Sequence, residues 1–173
     1  APTFADSDKL GLIVAGGADS GLDPETLRSM GGQLWRYGNS GAQKVRAAGA
    51  CSLRAGRYEE ALERLMRSLE LSDREEATQT GYFWLAMVHH HLGNAEESRQ
   101  WYDKGVEALQ RAVPSDPGQP TSKHPYYWLQ WNVLFREASD LLGLDPEEEL
   151  LKAKTRNETA EVPASANEGE SKE

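Results

Sequence analysis

Ala48-Gly49-Ala50-Cys51-Ser52-Leu53-Arg54-Ala55-Gly56-Arg57-Tyr58-Glu59-Glu60-Ala61 and Leu85-Ala86-Met87-Val88-His89-His90-His91-Leu92-Gly93-Asn94-Ala95-Glu96-Glu97-Ser98 are two versions of one passage. Each ends a helix, turns at a glycine, and enters a second helix through two carboxylates and a small residue. Gly56 and Gly93 stand 37 positions apart. Self-similarity at a fixed period points to stacked units, each unable to bury its apolar face alone. Two antiparallel helices joined by a short turn need small residues where they cross. Gly49 and Ala86 supply these on the first helices, Ala61 and Ser98 on the second.

The flanking sequence extends the pattern in both directions. Residues 42–55 read as one helix. Residues 58–71 carry Tyr58, Ala61, Leu62, Leu65, Met66 and Leu69, an apolar stripe at helical spacing with Glu and Arg on the other face. The charged segment Ser72 to Glu76 reads as a link to an apolar helix over 78–92, and Asn94 with Glu97 resembles a capping box opening a helix over 95–112. Pro114 to Pro125 reads as a loop, and Pro125 to about Leu142 as another helix, with Trp128 and Trp131 on one face. Upstream, Asp23-Pro24 reads as an N-cap with proline in the first helical position. That helix runs to about Tyr37, with Gly31-Gly32 weakening its middle. Asp145-Pro146-Glu147-Glu148 starts a short acidic helix. Beyond Lys154 almost nothing can be buried, which predicts disorder. The resulting division is 1–41 (a degenerate leading segment with one helix), 42–143 (repeats with a capping helix) and 144–173 (a short helix and an acidic tail).

The spacing and these positions resemble the tetratricopeptide repeat family, whose unit is about 34 residues long. The first unit is similar to the family pattern at Gly49, Gly56, Tyr58, Ala61 and Leu65, the second at Leu85, Ala86, Gly93, Ser98 and Tyr102. The likeness covers about residues 42–112. Ser68 and Gly105 stand where the family favours alanine, Asp73 and Gln110 where it favours proline. Tyr82 keeps the aromatic expected near the start of the first helix, whereas Val45 does not. The passage Trp84 to Gly93 is also similar to repeat tails of large bacterial serine/threonine kinases and related signalling proteins.

The resemblance implies an all-α array of antiparallel helix pairs whose first helices line a concave groove. In that register Arg46, Ala50, Leu53 and Arg54 from the first unit, with Phe83, Trp84, Met87, His90 and His91 from the second, form a partner-binding groove. Aromatic and Met side chains suit an adaptable peptide surface. The helix over 125–142 could instead pack there, because a short array needs a cap over its last open face. The expected function is a non-enzymatic scaffold for a protein or peptide. The alternative is a structural segment that packs within a larger protein, against a kinase-type domain for instance, or that self-associates.

Composition narrows the remaining classes. A net charge of −9 argues against nucleic acid and against an anionic membrane surface as partners. There is no apolar run of membrane-spanning length, and the first residues lack a basic n-region and a signal-peptide core. Cys51 is the lone cysteine, so an internal disulfide or a thiolate cage is ruled out and a reducing, cytoplasmic setting is expected. His89-His90-His91 invites a metal, but consecutive helical residues point about 100° apart and cannot converge on one ion. Gly16 to Gly21 lacks the order of a phosphate-binding loop and reads as a flexible leader. Kinase and serine-hydrolase motifs are absent from the chain, so neither a catalytic residue nor a cofactor is expected.

Overall fold

The structure, a computed structural model, describes residues 21–38, 41–72, 75–112 and 125–160. Residues 1–20, 39–40, 73–74, 113–124 and 161–173 lie outside the described residues, and with them the leader, the loop and most of the acidic tail read from the sequence. The described residues are all-helical, without strands. Seven helices run in order: α1 (Pro24–Gly38), α2 (Ala42–Arg54), α3 (Tyr58–Glu70), α4 (Glu75–His91), α5 (Ala95–Ala112), α6 (Pro125–Leu142) and α7 (Pro146–Ala160). Among them no helix is long and apolar enough to cross a membrane.

Local chemistry sets the helix ends. Asp23 Oδ1 accepts the backbone N–H groups of Glu25 (3.0 Å) and Thr26 (2.9 Å), and Asp145 Oδ1 does the same for Glu147 (2.9 Å) and Glu148 (3.1 Å). Each aspartate satisfies donors that the first helical turn leaves without partners. Three helices end in one turn geometry. Gly56, Gly93 and Gly143 have φ of 72°, 78° and 68°. The next residue's N–H reaches back five positions, from Arg57 to Ser52, Asn94 to His89 and Leu144 to Ser139, each at 2.9 Å. This is the left-handed glycine cap of a Schellman turn.

Adjacent helices pack in pairs: α1 on α2, α2 on α3, α4 on α5. Gly49 is buried where α2 meets α3, and a Cβ there would stand 2.7 Å from Leu65 Cγ. At the α4–α5 crossing Ala86 and Ser98 are buried, and Ser98 Oγ donates to the Ala86 carbonyl at 2.8 Å. α3 packs on α4, and α6 lies along α4 rather than along α5. One core therefore runs from Leu34 on α1 to Ala153 on α7.

Three sequence expectations are corrected. α4 begins at Glu75, inside the segment read as a charged link, because Glu75 and Glu76 favour a first helical turn. α7 continues to Ala160, beyond the expected onset of disorder at 155. It packs against α5, where Arg99 pairs with Glu149, Gln110 Nε2 donates to the Leu150 carbonyl, and Arg156 reaches Glu107 at 3.3 Å. Finally, Gly31 does more than weaken α1. A Cβ there would lie 3.0 Å from Cys51 Cβ and 3.1 Å from Arg64 Nη1, so the missing side chain lets α1 approach α2 and α3.

Candidate functional site

The nine residues assigned to a groove fall into two environments. Arg46, Ala50, Leu53, Phe83, Trp84 and Met87 are buried, whereas His90 and His91 are exposed and Arg54 is partly covered. The cause is α6, which occupies the face of α4 that the register turned toward a groove. Phe83 meets the Tyr102 ring edge-on at a centroid distance of 5.9 Å and the Phe135 ring of α6 at 5.7 Å. Gly105 makes room for it, since a Cβ there would stand 2.6 Å from Phe83 Cε1. Tyr102 and Phe135 stack at 6.0 Å. Ser139 Oγ lies 2.7 Å from both the Phe135 carbonyl and Tyr102 Oη. Since the serine donates to the carbonyl, the tyrosine hydroxyl donates to the serine. Burial, opposed by that hydrogen bond, pushes the Tyr102 hydroxyl up to about 12.

Trp84, 2% exposed, carries the Arg54 guanidinium over its ring at 5.0 Å. Arg54 turns both Nη atoms to Glu137 of α6, with Nη2 to Oε2 at 2.6 Å. This bidentate pair ties α2 to α6 across 83 residues of chain. Such a fork is the strong form of an Arg–carboxylate contact. Trp131 on α6 is also buried, and its Nε1 finds no hydrogen-bond partner among the described residues. The Trp128 side chain lies outside the described residues.

What α6 leaves open is a cleft of about 750 Å³ beside the α2–α3 turn. Leu53, Met87, Val133 and Leu141 give it an apolar floor. Tyr58 and His91 form one wall, stacked with centroids 4.5 Å apart and planes at 6°. The lining also includes the Arg54–Glu137 pair and the exposed Asp140. Leu53, Arg54, Met87 and His91 belong both to the expected groove and to this cleft. Tyr58, Glu137 and Asp140 were not legible as site residues, because their role arises only where α6 meets the α2–α3 turn.

The histidine run splits, with His89 turned into the core and His90 and His91 at the surface, their rings edge-on at 5.9 Å. His89 is buried, its Nδ1 3.3 Å from Asn94 Nδ2. His90 faces solvent, and His91 joins the cleft wall. Burial lowers the His91 imidazole below its usual range; nearby His90 and Arg54 lower it further, while Glu137 opposes them. Among the described residues no group of three or more His, Cys, Asp or Glu side chains is placed to hold a metal.

Comparisons with protein-family models, with curated proteins and with solved structures return no match to this chain.

Proposed function

We propose that this chain is a non-enzymatic scaffold, a tetratricopeptide-type array that holds a segment of another protein in the cleft between the α2–α3 turn, the end of α4 and α6. The open, apolar-floored cleft is the observation that carries this reading. Its floor suits an aliphatic or aromatic side chain, and the Asp140 carboxylate in the lining suits a basic residue beside that anchor. Interfaces of this kind draw most of their affinity from one buried anchor in such a pocket. A net charge of −9 favours a basic segment and disfavours nucleic acid or an anionic membrane as the partner. The reading as non-enzymatic rests on the sequence, which carries neither kinase nor serine-hydrolase motifs. A cytoplasmic setting is supported by the one free, buried thiol, Cys51.

The test is peptide selection against the full chain from a random display library, followed by affinity measurement with Asp140→Lys and Tyr58→Ala variants. The expected peptides share an apolar residue next to Lys or Arg, and each variant weakens them roughly tenfold. Peptides of no common pattern, or affinities indifferent to both variants, would remove the cleft from the account.

A second reading has its own support. α6 already covers Phe83 and the face of α4 around it, which suits a structural segment that packs within a larger signalling protein or against a second copy of itself. A size in sedimentation that grows with concentration would favour self-association.

A further inference from the structure

We propose that a second cavity, between α1 and α3, is an oxyanion site that takes a phosphate-ester group. The inference is independent of the cleft, on a different part of the molecule. The cavity holds about 530 Å³ and gathers Arg28, Arg36, Arg57 and Arg64 with two carboxylates, Glu25 and Glu60. In the lining four guanidiniums face two carboxylates, and Glu63, outside the lining, also acts on Arg64, so the site stays net positive. The chain as a whole carries −9, so this local field runs against the general one.

The two carboxylates are not equally available. Glu60 takes Arg57 Nε and Arg64 Nη2 at 2.7 Å each, and Ser52 Oγ at 3.1 Å. Burial pushes its acidity the other way, but the Arg57 hydrogen bond, the Arg64 charge and the Ser52 hydroxyl outweigh it and hold the carboxyl below its usual range. Glu60 therefore stays ionised and committed to those two arginines. Arg64 is fixed further by Ser52 Oγ at 2.8 Å and by the Trp35 ring beneath its guanidinium at 5.4 Å. It forms the back wall of the site and is not a free donor.

The opposite side is uncommitted. Glu25 reaches Arg28 only at 3.8 Å, with both side chains exposed, and a pair of that kind holds little. Arg36 makes no ion pair among the described residues. Ser29 and Gln33, on the same stretch of α1, add a hydroxyl and an amide to the lining. Guanidinium forks match phosphate oxygens in geometry, and a phosphate ester carries close to two negative charges at neutral pH. A polynucleotide would bring many more phosphates toward an acidic surface, so the fitting ligand is an isolated ester or ion. It can be free in solution or borne on a phosphorylated protein side chain.

The experiment titrates the full chain with inorganic phosphate, with sulfate, and with a phosphoserine peptide and its unphosphorylated form, by calorimetry and amide NMR shifts. Saturable phosphate binding at pH 7.5 is expected, with shifts confined to Arg28–Arg36 and Arg57–Arg64. It weakens at least tenfold in R28A/R36A and severalfold in Arg36→Gln, which keeps a polar side chain but removes the charge. Both positions are exposed on α1, and far-UV circular dichroism checks that the variants stay folded. At pH 5.5 phosphate loses its second charge and binds more weakly, whereas sulfate binding holds. A phosphopeptide far tighter than inorganic phosphate assigns the site to a protein-borne group; equal affinities assign it to the free ion. No saturable binding of phosphate or phosphopeptide, or binding unchanged in folded R28A/R36A, overturns the proposal.

Discussion

Gly49→Ala tests the close approach of α2 and α3. In an unpacked helix this change stabilises by about 1 kcal/mol, because alanine restricts the unfolded chain and favours the helix. Here the new Cβ meets Leu65 Cγ at 2.7 Å, Cδ2 at 2.9 Å and the Leu65 backbone nitrogen at 3.2 Å. Leu65 is fully buried, so its side chain has no solvent to swing into. The backbone nitrogen can yield only if α3 moves away from α2. Overpacking of this severity costs about 3 kcal/mol, the upper part of the usual range. Setting the propensity gain against it leaves a net loss of about 2 kcal/mol. Gly32 supplies the control: it too lies in a helix, yet nothing stands within 4 Å of a Cβ there. Gly32→Ala should therefore stabilise by about 0.5–1 kcal/mol. Urea unfolding followed by tryptophan fluorescence reads both variants against the parent. A Gly49→Ala midpoint equal to or above the parent's would refute the close α2–α3 approach.

The remaining predictions use the same unfolding assay unless stated. Arg54→Ala strands the Glu137 carboxylate, 17% exposed, against apolar neighbours and should cost about 2–3 kcal/mol; replacing both partners, as Arg54→Met with Glu137→Leu, should recover most of that loss. Tyr102→Phe removes the hydroxyl that donates to Ser139, whose own bond to Phe135 survives, so the cost should be about 1 kcal/mol. Burial raises the Cys51 thiol from 9.0 to about 11, with the Arg64 charge opposing. Its neutral form is the folded one, so this stabilisation is full below pH 9 and is lost as pH rises from 9 toward 11. Unfolding midpoints should fall across that window, and a thiol reagent at pH 8 should label Cys51 only after urea is added.

The short-range features of the fold were legible because each has a local cause. Asp23-Pro24 and Asp145-Pro146 mark helix starts through their own side chains, and Gly56 and Gly93 mark turns through positive φ. The third turn, at Gly143, has the same hydrogen bonds but stands 50 residues after Gly93 instead of 37, since the segment 113–124 intervenes. That insertion breaks the period that exposed the first two. The length of α7 was hidden for a different reason. Its sequence is polar, and what holds it are pairings such as Arg99–Glu149 with a helix about 50 residues away. The candidate site divides along the same line. Placing Phe83 and Met87 on one face of α4 needed only helical periodicity. Whether that face met solvent or α6 depended on contacts such as Phe83–Phe135 and Arg54–Glu137, which join segments that carry no mutual mark in the sequence. For the same reason Trp84→Ala, natural as a test of an open groove, would report on stability. Truncating a buried tryptophan costs about 3–5 kcal/mol whatever the partner.

Side-chain NMR of the chain with a selected peptide tests the central claim most directly, because it separates docking in the cleft from docking in a groove that α6 must vacate. The account predicts shifts at Met87, Leu53 and Leu141, with Leu85 and Leu134, both fully buried and outside the cleft lining, unmoved. It also predicts that contacts between the Phe83 and Phe135 rings persist in the complex. Loss of the Phe83–Phe135 contacts together with large shifts at Leu134 would mean that the partner displaces α6, and would contradict the cleft as the binding site.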